Sequence, residues 1–400
     1  MKKNFSLLSV VLVTVFVYTS CRKTDWHPGP QSGNQIFVSA TSLGTFSKTD
    51  LQGLAAKAGF GAFAPLAVYN VDFYKLVYKI NYKGSMVEAS GLLGVPKKLL
   101  LPSSIVSAQH GTIFRYADAP SNFPNTFTGF ELFAAAGYIA VIPDYLGYGV
   151  SENITHPYYD KQYSALSVVN MIEAAKYFLQ KQKTAMTNRL FLVGYSEGGY
   201  ATMAAQEEIE TNPAHKLTVT AAAEGAGGYD LTTFLSDVAD TSYYSAPSFL
   251  AMIMKSYNTT YSWNRPYSDF FQQPYASEIP ALLDGSKTRE QIDASLTTSP
   301  AALFNPTFYA NLKDPTKETA LKIKVGENSF LSWVPKSPTR LYHGTADDAV
   351  PFNTSVVTYN RFIAAGATNV EFIPIPNGTH ATSVSPMMSN VLPWIISLDK

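Results

Sequence analysis

Cysteine is almost missing from the 400-residue chain: Cys21 is its only one. A single thiol cannot close a disulfide within one chain, so the fold has to be held by its hydrophobic core. Charge is also scarce. Asp, Glu, Lys and Arg make up 15% of the residues, and 30 basic groups cancel 30 acidic ones. Without residues 1–20, which include Lys2 and Lys3, the balance becomes 28 basic to 30 acidic. A phosphate-rich partner demands a basic excess, which excludes nucleic acid and other polyanions as the main ligand. His-x-x-x-His pairs, clustered cysteines and a glycine-rich phosphate loop after a first strand are missing too, so neither a metal nor a cofactor is expected. No internal repeat of the propeller kind is present.

What is present suits one large domain of enzyme size. A 46% hydrophobic content over this length can bury a sizeable core without a second domain. The 25 Tyr, 24 Phe and 4 Trp fit a cleft for carbohydrate, aryl or acyl groups, and equally an ordinary core with tyrosine-rich loops. At the start, Met1-Lys2-Lys3-Asn4 is basic, and Phe5 to Tyr18 is apolar except at Ser6, Ser9 and Thr14. That run is too short and interrupted to span a bilayer, which takes about 20 apolar residues. Cys21 follows Tyr18-Thr19-Ser20, and the whole segment resembles a bacterial lipoprotein signal, although Leu is usual where Tyr18 stands. The resemblance implies removal of residues 1–20, lipidation of Cys21, export, and anchoring to the cell envelope at the outer membrane. The alternative is a soluble secreted protein with an incidental cysteine. Arg22 to Asn34 holds two Pro and two Gly without periodicity, so residues 21–35 are expected to be a tether. Folded structure is expected to begin between Ile36 and Phe60.

From there strand and helix patterns alternate. Tyr74–Tyr82 alternates as a half-exposed strand, and Met86–Val95 can pair with it through Lys83-Gly84. Ser104–Ala108, Tyr138–Ile142, Leu190–Val193, Leu217–Ala223, Thr339–Tyr342 and Val370–Ile375 are short apolar runs, the length of strands buried on both faces. Helical patterns separate them at Gly129–Ala136, Tyr163–Gln180, Gly199–Glu210, Asn353–Ala365 and Ser383–Leu398. An antiparallel edge followed by β-α units is the pattern of a mostly parallel, doubly wound α/β sheet. Tyr229–Pro335 breaks the rhythm with helical pieces at Leu231–Val238, Pro247–Lys255, Thr288–Leu296 and Ala301–Asn311. An insertion of that size is expected to cap the sheet's C-terminal edge, where α/β ligands bind.

Gly194-Tyr195-Ser196-Glu197-Gly198 reads Gly-x-Ser-x-Gly between a predicted strand and a predicted helix, the setting of a nucleophile elbow. A serine hydroxyl needs a base to take its proton, and the base needs a carboxylate to hold its tautomer. His343-Gly344-Thr345-Ala346-Asp347-Asp348-Ala349-Val350-Pro351 puts Asp347 past a strand end, with Asp348 as its neighbouring rival. Asn377-Gly378-Thr379-His380 puts a histidine in the turn before the last helix. His343 and His110 precede glycines at strand ends, His215 lies in a helix–strand link, and His27 in the tether. His156 can line a site but precedes the serine in order. The order Ser196, Asp347, His380 resembles that of the α/β-hydrolases across nearly all of the mature chain.

That resemblance implies an oxyanion hole from the amides of Glu197 and, in Gln109-His110-Gly111-Thr112, of Thr112. Pro143-Asp144-Tyr145-Leu146-Gly147-Tyr148-Gly149-Val150-Ser151, His156-Pro157-Tyr158 and Trp333-x-Pro335-x-x-Pro338 resemble the secretory lipases, including the lipase A type. In that segment Asp144 is read as structural. The resemblance implies carboxylic-ester hydrolysis through an acyl-enzyme. Two other readings stand beside it: a prolyl-oligopeptidase-like exopeptidase, and a non-catalytic surface protein that binds glycan or a partner. Tyr243, Tyr244, Tyr257, Tyr261, Trp263, Tyr267 and Tyr275 lie near polar residues in the insertion. If they face the site, short or glycan-linked esters are favoured.

Overall fold

The computed structural model of the protein describes residues 32–98 and 101–400. The signal segment, Cys21 and the tether up to Gln31 lie outside the described residues. Helical structure is already present before Ile36: Ser32 caps a short helix, α1 (Gly33–Ile36), with a capping box to Gln35. Gly33 packs so closely on the next long helix that a Cβ would lie 2.5 Å from the Glu173 carbonyl. Residues 32–35, expected to belong to the tether, thus pack on the domain.

The described strands are β1 (Phe37–Phe46), β2 (Val71–Tyr82), β3 (Ser85–Pro96), β4 (Ser103–Gln109), β5 (Ile139–Pro143), β6 (Met186–Tyr195), β7 (Ala221–Gly225), β8 (Thr339–Gly344) and β9 (Val370–Ile375). They form one sheet in the order β1-β2-β3-β5-β4-β6-β7-β8-β9. Pairing is antiparallel from β1 to β5 and parallel from there on. The helices before the insertion are α2 (Lys48–Lys57), α3 (Glu131–Ala135), α4 (Lys161–Lys181) and α5 (Glu197–Thr211). Between β7 and β8 run α6 (Leu231–Asp240), α7 (Pro247–Thr260), α8 (Tyr275–Leu282), α9 (Arg289–Asp293), α10 (Pro300–Leu303), α11 (Pro306–Lys313) and α12 (Thr319–Glu327). Then follow α13 (Asn353–Ala364) and α14 (Val384–Leu398). None of the described helices is long and apolar enough to cross a membrane. This is an α/β-hydrolase fold.

Two apolar cores sandwich the sheet. One joins Leu76, Tyr78 and Ile80 of β2 to α4, α5 and the helices between β7 and β8. The other joins Phe73 and Leu92 to α2, α3 and α14. Alternation along β2 explains the split, since successive side chains of a strand point to opposite faces. Departures from the sequence reading have local causes. The edge strand β1 is rich in Ser, Thr and Gly and only partly buried, so it carries no apolar signature. The expected Ala301–Asn311 helix is two helices, because Asn305 turns the chain and caps α11 just before Pro306. The strand expected at Leu217–Ala223 begins only at Ala221.

Among the buried ionisable groups are Glu224 and His215. Glu224, in the fully buried β7, has no hydrogen-bond partner for either carboxylate oxygen among the described residues. Burial, then the charge of Glu210, pushes its pKa well above the ordinary value. His215 ties α4 to the end of α5: Nδ1 lies 2.7 Å from Glu173 and Nε2 2.8 Å from Glu208. Burial pulls its pKa down, but hydrogen bonds and charges from the two carboxylates outweigh it and raise the pKa to about 9. A raised folded-state pKa means that the protonated form is the one the fold stabilises, so this contribution is complete below pH 6.5 and fades as pH rises through about 9. His215→Gln is expected to lower Tm by a few degrees at pH 6 and progressively less toward pH 10. Thermal melts followed by circular dichroism check this; a Tm gap that stays constant with pH would contradict it.

Candidate active site

Ser196 closes β6 and opens α5 with backbone angles φ 62° and ψ −127°, a region that L-residues rarely enter. Its N–H donates to the Gly225 carbonyl at 2.8 Å, which fixes the turn against β7. The turn is possible because its glycines present no Cβ. At Gly194 a Cβ would lie 2.1 Å from the Gly198 carbonyl, and at Gly198 it would lie 1.9 Å from that of Gln109. Strand, helix and the loop after β4 thus meet at backbone contact.

The three residues expected to act together are joined. Ser196 Oγ lies 2.8 Å from His380 Nε2, and His380 Nδ1 lies 2.7 Å from Asp347 Oδ2. The other oxygen, Asp347 Oδ1, accepts the amides of Ala349 and Val350 at 3.0 and 2.8 Å. Asp347 Oδ2 is also 3.3 Å from His343 Nε2. Burial pulls the Asp347 pKa up, but hydrogen bonds from His343 and His380 outweigh it and hold the carboxyl well below its usual range. The carboxylate of the rival, Asp348, accepts the His380 backbone N–H, at 3.3 Å, rather than the imidazole. The Tyr195 hydroxyl donates to the His380 carbonyl at 2.7 Å and fixes the histidine's backbone.

The amides expected to hold an oxyanion flank the serine. Glu197 is the first residue of α5, where backbone N–H groups have no helical acceptor. Thr112 follows Gly111, whose Cα region lies against the Ser196 side chain, since a Cβ there would sit 3.4 Å from Ser196 Cβ. The Thr112 hydroxyl is 2.9 Å from the Tyr158 hydroxyl. No carbonyl takes up either amide among the described residues.

The other described histidines are each held by hydrogen bonds away from the Ser196 hydroxyl, and His27 lies outside the described residues. His343 bonds Ser355 and the Val350 carbonyl. His110 is buried with Nδ1 at 2.7 Å from the Gly111 carbonyl and its ring stacked 4.3 Å from Tyr145, and burial lowers its pKa. His156 pairs with Glu197 rather than with the serine. Its Nε2 is 2.6 Å from the Glu197 carboxylate and its Nδ1 2.7 Å from the Leu146 carbonyl. Sequence reasoning gave Glu197 only a backbone role and missed this buried pair; the sole available signal was a charged residue in an otherwise small and apolar elbow. Asp144 is structural, accepting from Ser90 Oγ at 2.6 Å and the Ser121 amide at 2.7 Å. Among the described residues no cluster of His, Cys, Asp and Glu is placed to hold a metal ion.

A cavity of about 770 Å³ opens on Ser196 and His380. The tyrosines expected to face it do not. Of the β7–β8 insertion only Phe249 and Arg289 reach its wall. Tyr244 and Tyr257 instead donate to the carbonyls of Ala349 and Tyr159, and Tyr261 to the Asp160 carboxylate, at 2.6 to 3.0 Å. They fasten the insertion to the α4–α5 face, while the cavity is bounded by the core on the opposite face. The basis for expecting short or sugar-bearing esters is therefore absent.

The chain resembles solved structures over most of its length. A hydrolase candidate from Legionella pneumophila is 26% identical, with a TM-score of 0.83, over 91% of this chain and 98% of that one. The rice cell wall degrading esterase LipA of Xanthomonas oryzae is 23% identical, with a TM-score of 0.77, over 92% and 98%. Candida antarctica lipase A in its closed state is 18% identical, with a TM-score of 0.65, over 92% and 82%. No curated protein matches the chain significantly. The family model of the secretory lipases matches residues 130–398, a span that runs from the start of α3 to the end of α14 and takes in Ser196, Asp347 and His380, and the chain belongs to that family of ester hydrolases.

Proposed function

We propose that the protein hydrolyses carboxylic esters through an acyl-enzyme on Ser196. The observation that carries this reading is the unbroken hydrogen-bonded chain from Ser196 Oγ through His380 to Asp347 at the strained elbow. Ser196 Oγ attacks the ester carbonyl carbon while His380 Nε2 takes its proton. Asp347 holds Nδ1–H and favours the imidazolium that forms. The carbonyl oxygen becomes an oxyanion received by the Glu197 and Thr112 amides, each such donor being worth about 2.7–4 kcal/mol in comparable enzymes. Collapse breaks the bond to the alcohol oxygen, which leaves with the proton from His380. Water then attacks the acyl-enzyme by the same route and restores Ser196. No step calls for a metal or cofactor.

An exopeptidase needs an anionic subsite for a substrate amine. The carboxylate that lines the cavity, Asp118, is already paired with Arg115 at 2.6 and 2.9 Å. A binding protein without turnover would have no use for a serine held at positive φ within reach of a histidine.

Ser196→Ala is expected to lower kcat about 10⁶-fold with the fold intact. Asp347→Asn is expected to cost about 10⁴-fold and Asp348→Asn less than tenfold; steady-state kinetics with the order reversed would move the acid to Asp348. A fluorophosphonate that fails to label Ser196 would favour the non-catalytic reading.

The buried His156–Glu197 pair braces the first turn of α5 and with it the Glu197 amide. His156→Phe is expected to reduce kcat about 10- to 100-fold, below the loss of a whole oxyanion donor, while KM stays within about twofold. His156→Gln, which keeps a polar group against Glu197, is expected to recover part of that loss. Equal losses in both variants, or a change carried by KM, would remove the bracing role.

The basic start, the apolar run and Cys21 support export followed by lipid attachment. Metabolic labelling with palmitate is expected to mark the wild type and not Cys21→Ser, which is released to the soluble fraction. Unlabelled, soluble wild type would rule the anchor out.

A further inference from the structure

The cavity at Ser196 has an unexpected wall. Residues 59–66, between α2 and β2 and far from the elbow in sequence, line it together with the stretch before α3 and with α14. Phe60, Phe63, Leu66, Phe127, Val384 and Met388 all face it. Each packs against the core of the α2–α3–α14 face yet stays only partly buried. Six large apolar side chains left half covered around one concavity, continuous with a nucleophile, form the kind of patch that a ligand covers. The segment is held firmly enough to serve as a template. Ser47 and Asp50 form a capping box at the start of α2, Leu51 and Ala55 are fully buried, and the Phe60 ring fills the space beside Gly129. Polar lining comes from Asp118, Asn125, Thr126 and Thr128 at the same stretch as Phe127, where the apolar wall meets a polar rim.

We propose that residues 59–66, with Phe127 and the start of α14, form the berth of the acyl chain, and that the protein takes esters of medium-length aliphatic or aryl acids rather than acetyl esters. This rests on the ester-hydrolase reading above. A chain laid along this wall loses water at every added carbon, so kcat/KM rises about fourfold per methylene until the wall ends.

The test uses the mature wild-type protein with p-nitrophenyl esters of two to twelve carbons, and alkyl acetates of matching length. The expected result is a steep rise in kcat/KM from C4 to C8 in the acyl series and a flat alkyl acetate series. The C8-to-C4 ratio is expected to fall at least tenfold in Phe63→Ser, which removes wall, and in Leu66→Trp, which blocks it. Tyr243→Ser, at an exposed position of the insertion, is expected to keep the wild-type ratio. Fluorophosphonate labelling of Ser196 shows that each variant is folded. A labelled enzyme whose acyl profile is flat or falling, whose Phe63 and Leu66 variants keep the ratio, or whose chain-length response lies in the alcohol series overturns the berth and leaves the hydrolase reading standing. Wild type that neither labels nor turns over any ester overturns both.

Discussion

The contact between the backbone of Gly198 and the Gln109 carbonyl sets the geometry of the site. A single Cβ at Gly198 would stand 1.9 Å from that oxygen, so α5 and the end of β4 are as close as backbones allow. The Glu197 amide opens α5, and the Thr112 amide lies in the loop that leaves β4 at this point. Their separation is therefore fixed by a steric stop rather than by side chains that can adjust. A serine at φ 62° carries strain of about 1–3 kcal/mol. The bond to the Gly225 carbonyl and the close packing of β6, α5 and β7 hold it there.

The sheet and the hydrogen-bonded triad could be read from the chain because each has a local signature. Leu190–Val193 lies inside β6, Val370–Ile375 coincides with β9, and Asp347 and His380 sit in the turns that follow β8 and β9. The edge strand β1 had no such signature: none of its residues is fully buried, and Ser, Thr and Gly make up half of it. The His156–Glu197 pair was hidden for another reason. It joins positions 41 residues apart by a contact that only the packing of the loop after β5 against α5 creates.

The same distinction explains the misplaced tyrosines. A sequence shows that Tyr244, Tyr257 and Tyr261 are amphipathic; it does not show which polar group their hydroxyls meet. They meet core carbonyls and Asp160, so a feature suggestive of sugar binding serves as mortar between insertion and sheet. Conversely, Phe60 and Phe63 look like ordinary core residues of a short N-terminal turn. Alternation along β2 decides their use: the face that receives Phe73 is the one on which α2 and α14 pack, and residues 59–66 and α14 both line the cavity.

Glu224 has a consequence beyond the site. Its side chain springs from the last-but-one residue of β7, with no partner for either carboxylate oxygen among the described residues, and burial keeps its proton on to well above the ordinary carboxylate range. The unfolded chain has already released that proton at such pH. Folding in this interval therefore withdraws a proton from the solution, and unfolding returns it to the buffer. The heat of unfolding recorded in a calorimeter then contains the buffer's own protonation enthalpy, and melts in phosphate and in an amine buffer at one pH will differ in enthalpy although the same bonds are broken.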